Sequence, residues 1–169
     1  MSDDDDALRR HLRSLEAELG DPRQGLPEEL FLFVSRVTPL INVDLLIHDD
    51  RSRTLLTWRD DEFYGAGWHV PGGIIRFKES VATRVRACAR EELGAEIAYD
   101  EAPVLVSESI EPQDTRGHFI SLLFRCRLAS APDDARRAVL DPPAAGQWRW
   151  HEGCPSDLIE AQRHYARFF

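Results

Sequence analysis

Between Gly72 and Gly94 the chain reads GGIIRFKESVATRVRACAREELG, and this stretch leaves few options for what is built around it. A paired glycine lets backbone approach a neighbour closely, because no side chain stands in the way. Six residues after Gly73 comes Glu79, followed by a helix-forming run that ends in Glu91, Glu92, Leu93 and Gly94. Gly94 is placed to stop that helix. Glu91 and Glu92, three and four residues after Cys88, then lie on one stripe near its end. Close backbone, an acidic residue at the helix start and two carboxylates at its end outline a place to hold a divalent cation beside a diphosphate.

The order of these elements matches a known signature. The segment resembles the box of the Nudix hydrolases: Gly, five residues, Glu, seven residues, Arg-Glu, an aliphatic, any residue, Glu-Glu, any residue, Gly, an aliphatic. Gly73, Glu79, Glu91, Glu92 and Gly94 fall in register, and Trp68, Val70 and Pro71 flank them as in many members. Ala87 and Cys88 stand where Arg-Glu belongs, and Ala89 and Ala95 hold the aliphatic places. Within the superfamily, the chain from about Phe31 onward is similar to the GDP-mannose mannosyl hydrolase branch. Thr38-Pro39-Leu40, Asp44, Arg59, the Trp-x-Val-Pro-Gly-Gly entry and Arg149-Trp150 carry that likeness. That branch also lacks the glutamate of the Arg-Glu pair, so Cys88 alone does not imply an inactive site.

The resemblance implies a fold, a metal and a set of roles. The fold is the α/β (α+β) Nudix fold, a mixed β-sheet sandwiched between helices. Mg2+ or Mn2+ would be held by Glu92 with the Gly72 carbonyl, and Glu91 and Glu79 would supplement them. Arg59 would steady phosphate charge, Asp44 would accept hydrogen bonds from a base or sugar, and Arg76 is a further phosphate candidate. Each has a plainer alternative, a surface ion pair for Arg59 and Asp44 and a helix-start role for Glu79. Arg84, Arg86 and Arg90 share the helix but read as solvated. Anchoring on Arg149-Trp150 puts Ala144 and Ala145 where the mannosyl hydrolases have a Gln-His pair for metal and base. The base would then come from the loop 111–117, with Glu111 first and Asp114 and His118 behind it; Gln147 replaces the lost glutamine only if the register shifts.

Outside the box, hydrophobic period sets the outline. Leu8, Leu12, Leu15 and Leu19 recur at spacings of four, three and four, an amphipathic helix stopped by Gly20 and Pro22. It packs on its own domain or forms a dimer contact, and the acidic run 1–6 before it reads as a disordered tail. A short helix is expected over 27–35. Strands are expected over 41–48, 53–59, 68–70, 74–77, 104–110, 118–128 and 147–151, with a closing amphipathic helix over 157–169. In the first strand Ile41, Val43, Leu45 and Ile47 take one face while Asn42, Asp44 and His48 take the other. The layout is a tail and helix over 1–25 and a single domain over 26–169.

Composition narrows the partners. A formal net charge of -9 argues against nucleic acid, whose backbone needs clustered Lys and Arg, but leaves a small nucleotide substrate open. Three widely spaced cysteines fit a reducing cytoplasm, no apolar run is long enough for a membrane, and the branch resembled suggests a homodimer. The expected activity is Mg2+-dependent hydrolysis of a nucleoside diphosphate derivative, such as a nucleoside diphosphate sugar. The alternative is a weakened domain that senses a nucleotide or supports a partner.

Overall fold

Strand β1 (Leu40–Ile47) is buried on both faces from Asp44 onward, and the rest of the chain is arranged to cover it. The structure, a computed structural model, describes residues 3–169. β1 pairs in parallel with β7 (His118–Leu128) and antiparallel with the short β4 (Gly72–Ile74). β5 (Ile97–Tyr99) and β6 (Leu105–Ile110) share the far edge of β7. The five strands form a mixed sheet, the expected kind. A second, antiparallel sheet joins β2 (Thr54–Asp61) to β3 (Gly65–His69) and β8 (Trp148–His151).

Two apolar cores follow from this arrangement. Val43, Leu45 and Ile47 face helix α3 (Val81–Leu93), where Val85, Cys88, Ala89 and Leu93 meet them. Leu46, on the opposite face of β1, packs with Leu56, Trp58, Trp68, Val70 and Leu123. The supposed polar face of β1 is therefore interior: a strand flanked on both edges and covered on both sides must bury Asp44 as well. The tryptophans serve packing, Trp58 meeting Trp68 edge to face at 5.2 Å.

Helix α3 starts at an N-cap serine, Ser80, whose hydroxyl accepts from the Thr83 amide at 3.1 Å. It ends at Gly94 in the left-handed region, φ 63°. Glu79 thus lies outside the helix, free for a partner other than the helix terminus. Helix α2 (Glu28–Val37) follows Pro27 as expected.

Both ends of the chain differ from expectation. Helix α1 (Asp3–Glu18) extends through most of the acidic run, whose carboxylates suit a helix N-terminus; Met1 and Ser2 of the expected tail lie outside the described residues. Its Leu8, Leu12 and Leu15 remain exposed rather than packing on the domain. At the other end a 3-10 helix, Glu160–Phe168, replaces the expected amphipathic α-helix. Three residues per turn bring residues i and i+3 onto one line, so Gln162 and Tyr165 both point inward. Gln162 accepts from the Val70 amide at 2.7 Å, and Tyr165 is fully buried.

Candidate active site

A cavity of about 350 Å³ opens between β1, β4, the end of α3 and the closing 3-10 helix. Gly72, Asp44, Arg59 and Glu92 from the sequence set line it. Glu79, Glu91, Arg76 and Glu111 do not, for reasons that their partners make plain.

Glu92 forms one part of the wall. Its Oε1 accepts from the Gly72 amide at 2.7 Å and its Oε2 from the Thr57 hydroxyl at 2.8 Å. His69 Nε2 lies 3.2 Å from Thr57 Oγ1 and 3.5 Å from Glu92 Oε2. Thr57 has a single proton and gives it to Glu92, so His69 Nε2 must be the donor toward Thr57. In the neutral ring this leaves Nδ1 an acceptor, and Nδ1 is buried without a partner. The glycine pair is needed here. A Cβ on Gly72 would sit 2.5 Å from Asp44 Oδ1 and from the Val43 carbonyl, and one on Gly73 would sit 2.8 Å from Cys88 Sγ. The Gly72 amide meets Glu92, and the residue whose carbonyl was expected to help hold the cation therefore lies on the cavity wall beside that carboxylate.

Asp44 lies in the wall beside it. Tyr165 O–H donates to its Oδ2 at 2.6 Å and Asn42 Nδ2 to its Oδ1 at 3.0 Å, while Ser121 O–H donates to Asn42 Oδ1 at 2.8 Å. Burial wins over these donors and pushes the Asp44 carboxyl up to about 6. Because the unfolded value is near 3.9, the native state holds more protons between pH 4 and 6, so ionising Asp44 lowers stability as pH rises through that window. The full effect is about 3 kcal/mol. Asp44→Asn should therefore gain on the parent protein between pH 4.5 and 7 in metal-free urea melts. A stability difference independent of pH would contradict it.

Another part of the wall is basic and aromatic. Arg59 CZ lies 4.6 Å from the Tyr64 ring centroid, but its Nε donates to Asp61 Oδ2 at 2.7 Å, which neutralises it in part. Among the described residues no carboxylate forms an ion pair with Arg116. Its guanidinium lies over Phe63 at 4.8 Å and Phe31 at 5.6 Å, and its Nε is buried without a partner. Its backbone is held by Ser35 Oγ, which accepts from the Arg116 amide, and by Tyr64 O–H, which donates to the Arg116 carbonyl.

The remaining candidates are engaged elsewhere. Glu79 takes two bonds from Arg84, Nε to Oε2 at 2.9 Å and Nη2 to Oε1 at 3.0 Å, and one from the Arg76 amide at 2.9 Å. Burial alone would raise the Glu79 carboxyl, but these donors outweigh it and hold it below the usual range. Arg84 is thus buried at 4 % side-chain exposure, not solvated as the sequence suggested; its aliphatic stem crosses the face that also carries Cys88. Glu91 is half exposed and meets Arg84 at 3.2 Å and Arg76 at 3.9 Å, which keeps Arg76 off the cavity wall. Glu111 accepts from the hydroxyl of Ser109, and it is Ser109 that reaches the wall. Gln147 spends its amide oxygen on the Ala144 amide at 2.9 Å, closing its own loop rather than standing in for a lost ligand. Cys88 is buried in the core between α3 and β1.

The donor set fits a hard cation. Among the described residues no three His, Cys, Asp or Glu side chains gather around one point. Two adjacent carboxylates, Glu91 and Glu92, with water completing the shell, are nevertheless what Mg2+ commonly accepts. The sequence reading missed His69, Thr57, Tyr64, Arg116 and Tyr165. His69 stood three residues before Gly72, and Arg116 inside the loop already searched for a base.

Comparison with known proteins bears on the family and the fold. A model of the NUDIX domain matches residues 38–162. The low-salt glycan biosynthesis protein Agl8 of Haloferax volcanii is 24% identical over 134 residues, covering 74% of this chain and 85% of that protein. Among solved structures, a MutT NUDIX hydrolase from Burkholderia pseudomallei superposes with a TM-score of 0.60 at 24% identity, covering 77% of this chain and 97% of the other. A UDP-X diphosphatase gives 0.55 at 18%, covering 94% of this chain and 73% of the other. The two structural likenesses establish the fold.

Proposed function

The chain belongs to the Nudix hydrolase family, whose members act on nucleoside diphosphate derivatives and generally use divalent metals, and we propose that its substrate is a nucleoside diphosphate sugar. One observation carries this reading: a single cavity joins the Glu92 carboxylate to the Arg59 and Arg116 guanidinia, with the Asp44 and Asn42 acceptors between them. Buried carboxylate and amide oxygens suit the hydroxyls of a sugar. The name of the haloarchaeal relative, a glycan biosynthesis protein, supports the same class, as does the likeness to the GDP-mannose mannosyl hydrolases.

Glu92 and Glu91 are the residues to hold Mg2+ or Mn2+. When bound, the ion supplies positive charge to the departing diphosphate. Thr57 and the Gly72 amide fix the Glu92 carboxylate beforehand, so that no side-chain freedom is lost when the site fills. Arg116 and Arg59 bind phosphate oxygens, and Asp44 orients the sugar. Ser109, on the cavity wall, takes the proton from the attacking water as it gives its own to Glu111, which accepts from its hydroxyl.

The test is a panel of nucleoside diphosphate sugars, dinucleotides and nucleoside triphosphates with Mg2+ or Mn2+, assayed for released monophosphate, diphosphate and phosphate. Sugar nucleotides should be turned over fastest and chelator should stop the reaction. Faster turnover of triphosphates or dinucleotides would reject the sugar assignment. Oxygen-18 water would then locate the attacked atom.

A further inference from the structure

We infer that Arg84 is the positioning arginine of this acidic site, having taken over the work of the helix position where this chain carries Ala87. The Nudix box has an arginine there, and this chain has a methyl group. Arg84 precedes Ala87 by three residues, so both lie on the same face of α3. Its guanidinium grips Glu79 by a two-bond fork and reaches Glu91 Oε2 with Nη1 at 3.2 Å. One buried cation thus ties the loop before the helix to the carboxylate pair at the end of the helix.

Three neighbouring residues make the room. Cys88, one turn after Arg84, presents a thiol where the box has a carboxylate, and Ala87 vacates the adjoining surface. Gly73 completes the slot: a Cβ there would sit 2.8 Å from Cys88 Sγ and 3.6 Å from Arg84 Cδ. A glutamate at 88 would bring a further negative charge into a pocket already filled by the Arg84 stem. The substitutions at 87 and 88 and the arginine at 84 therefore read as one rearrangement rather than as decay.

The arrangement also divides the carboxylates. Glu79 is committed to Arg84 and serves as its anchor, not as a ligand. Glu91 is held by the same guanidinium at 3.2 Å, and it and Glu92, consecutive in the chain, are left as the carboxylates for a single divalent cation. Lysine cannot replace Arg84, because an ammonium lacks the planar fork that engages both Glu79 oxygens while a third nitrogen reaches Glu91.

This inference rests on the metal-dependent reading, and the experiment separates the two. Mn2+ binding is measured from the free-ion paramagnetic resonance signal without substrate, together with thermal melts, for the parent protein, Arg84→Lys, Arg84→Ala and Arg84→Ala/Ala87→Arg. The parent should bind one Mn2+ per chain; no binding at all would defeat the metal reading itself. Arg84→Lys and Arg84→Ala should weaken Mn2+ binding by about 10- to 100-fold. The double variant should recover most of that loss, because an arginine one turn along the same face regains Glu79. Parent-like Mn2+ affinity in Arg84→Lys, or a folded double variant as weak as Arg84→Ala, would overturn the inference. Should both alanine-bearing proteins fail to fold, the lysine variant alone decides.

Discussion

Glu92→Gln should reduce metal-dependent turnover by about 10³-fold, the several kcal/mol that a cation's charge contributes to a departing diphosphate. The loss should not be recovered by raising Mg2+. Two separate causes act at this residue. The amide removes the formal charge that faces the cavity, and it also disturbs a fixed pair of donors: the Gly72 N–H and the Thr57 O–H both point at this carboxylate. A glutamine can offer an oxygen to only one of them and must turn its NH2 toward the other; with the oxygen kept for Gly72, the Thr57 hydroxyl has to accept from that NH2 and donate to His69 instead, which breaks the fixed arrangement and changes the His69 tautomer. The variant should therefore melt lower as well as turn over more slowly. Glu91→Gln is the useful comparison. Glu91 is half exposed and touches arginine side chains rather than backbone, so it should lose activity with little change in melting temperature. Retained turnover in Glu92→Gln would exclude Glu92 as the metal carboxylate.

The box was legible because its spacing is set by backbone geometry. A serine cap at Ser80, a glycine stop at Gly94 and glycines that admit Asp44 and Cys88 all leave marks in linear sequence. The mixed sheet was legible for a similar reason, through strand-length runs between turns. Asp44 was identified from sequence, but its burial was not. Alternation along β1 reports two faces, and it cannot report that the second face is covered by a sheet formed from distant residues. Arg84 was misread for the opposite reason. Helical spacing set it with Arg86 and Arg90 among the solvated positions, while the guanidinium's reach to Glu79 depends on how the preceding loop folds back. His69 and Thr57 were invisible individually because their pairing is a register fact of β2 against β3. The α1 leucine stripe was visible, but its period reports only one apolar face, and the structure leaves Leu8, Leu12 and Leu15 on that face exposed.

Removing Arg116 should raise KM by about 10- to 100-fold with a smaller change in kcat, because a charge-assisted contact in a sheltered site contributes about 1.5–3 kcal/mol. Arg59→Ala should cost less, since Asp61 already holds the Arg59 guanidinium and an anion must compete for it. Among the described residues Arg116 faces no such competitor; its Nε is buried and unbonded, and the rings around it shelter the charge without neutralising it. Its backbone offers a sharper test. Arg116 has φ 55°, the left-handed region that disfavours any side chain, and the Ser35 and Tyr64 hydrogen bonds hold it there. Arg116→Gly should therefore melt higher than Arg116→Ala, while both bind substrate equally weakly. That pairing of outcomes separates the side chain's role from the backbone's. If both variants instead kept the parent KM, the basic part of the cavity wall would not be where phosphate binds, and the guanidinium would serve only to pack Phe31, Phe63 and Tyr64 together.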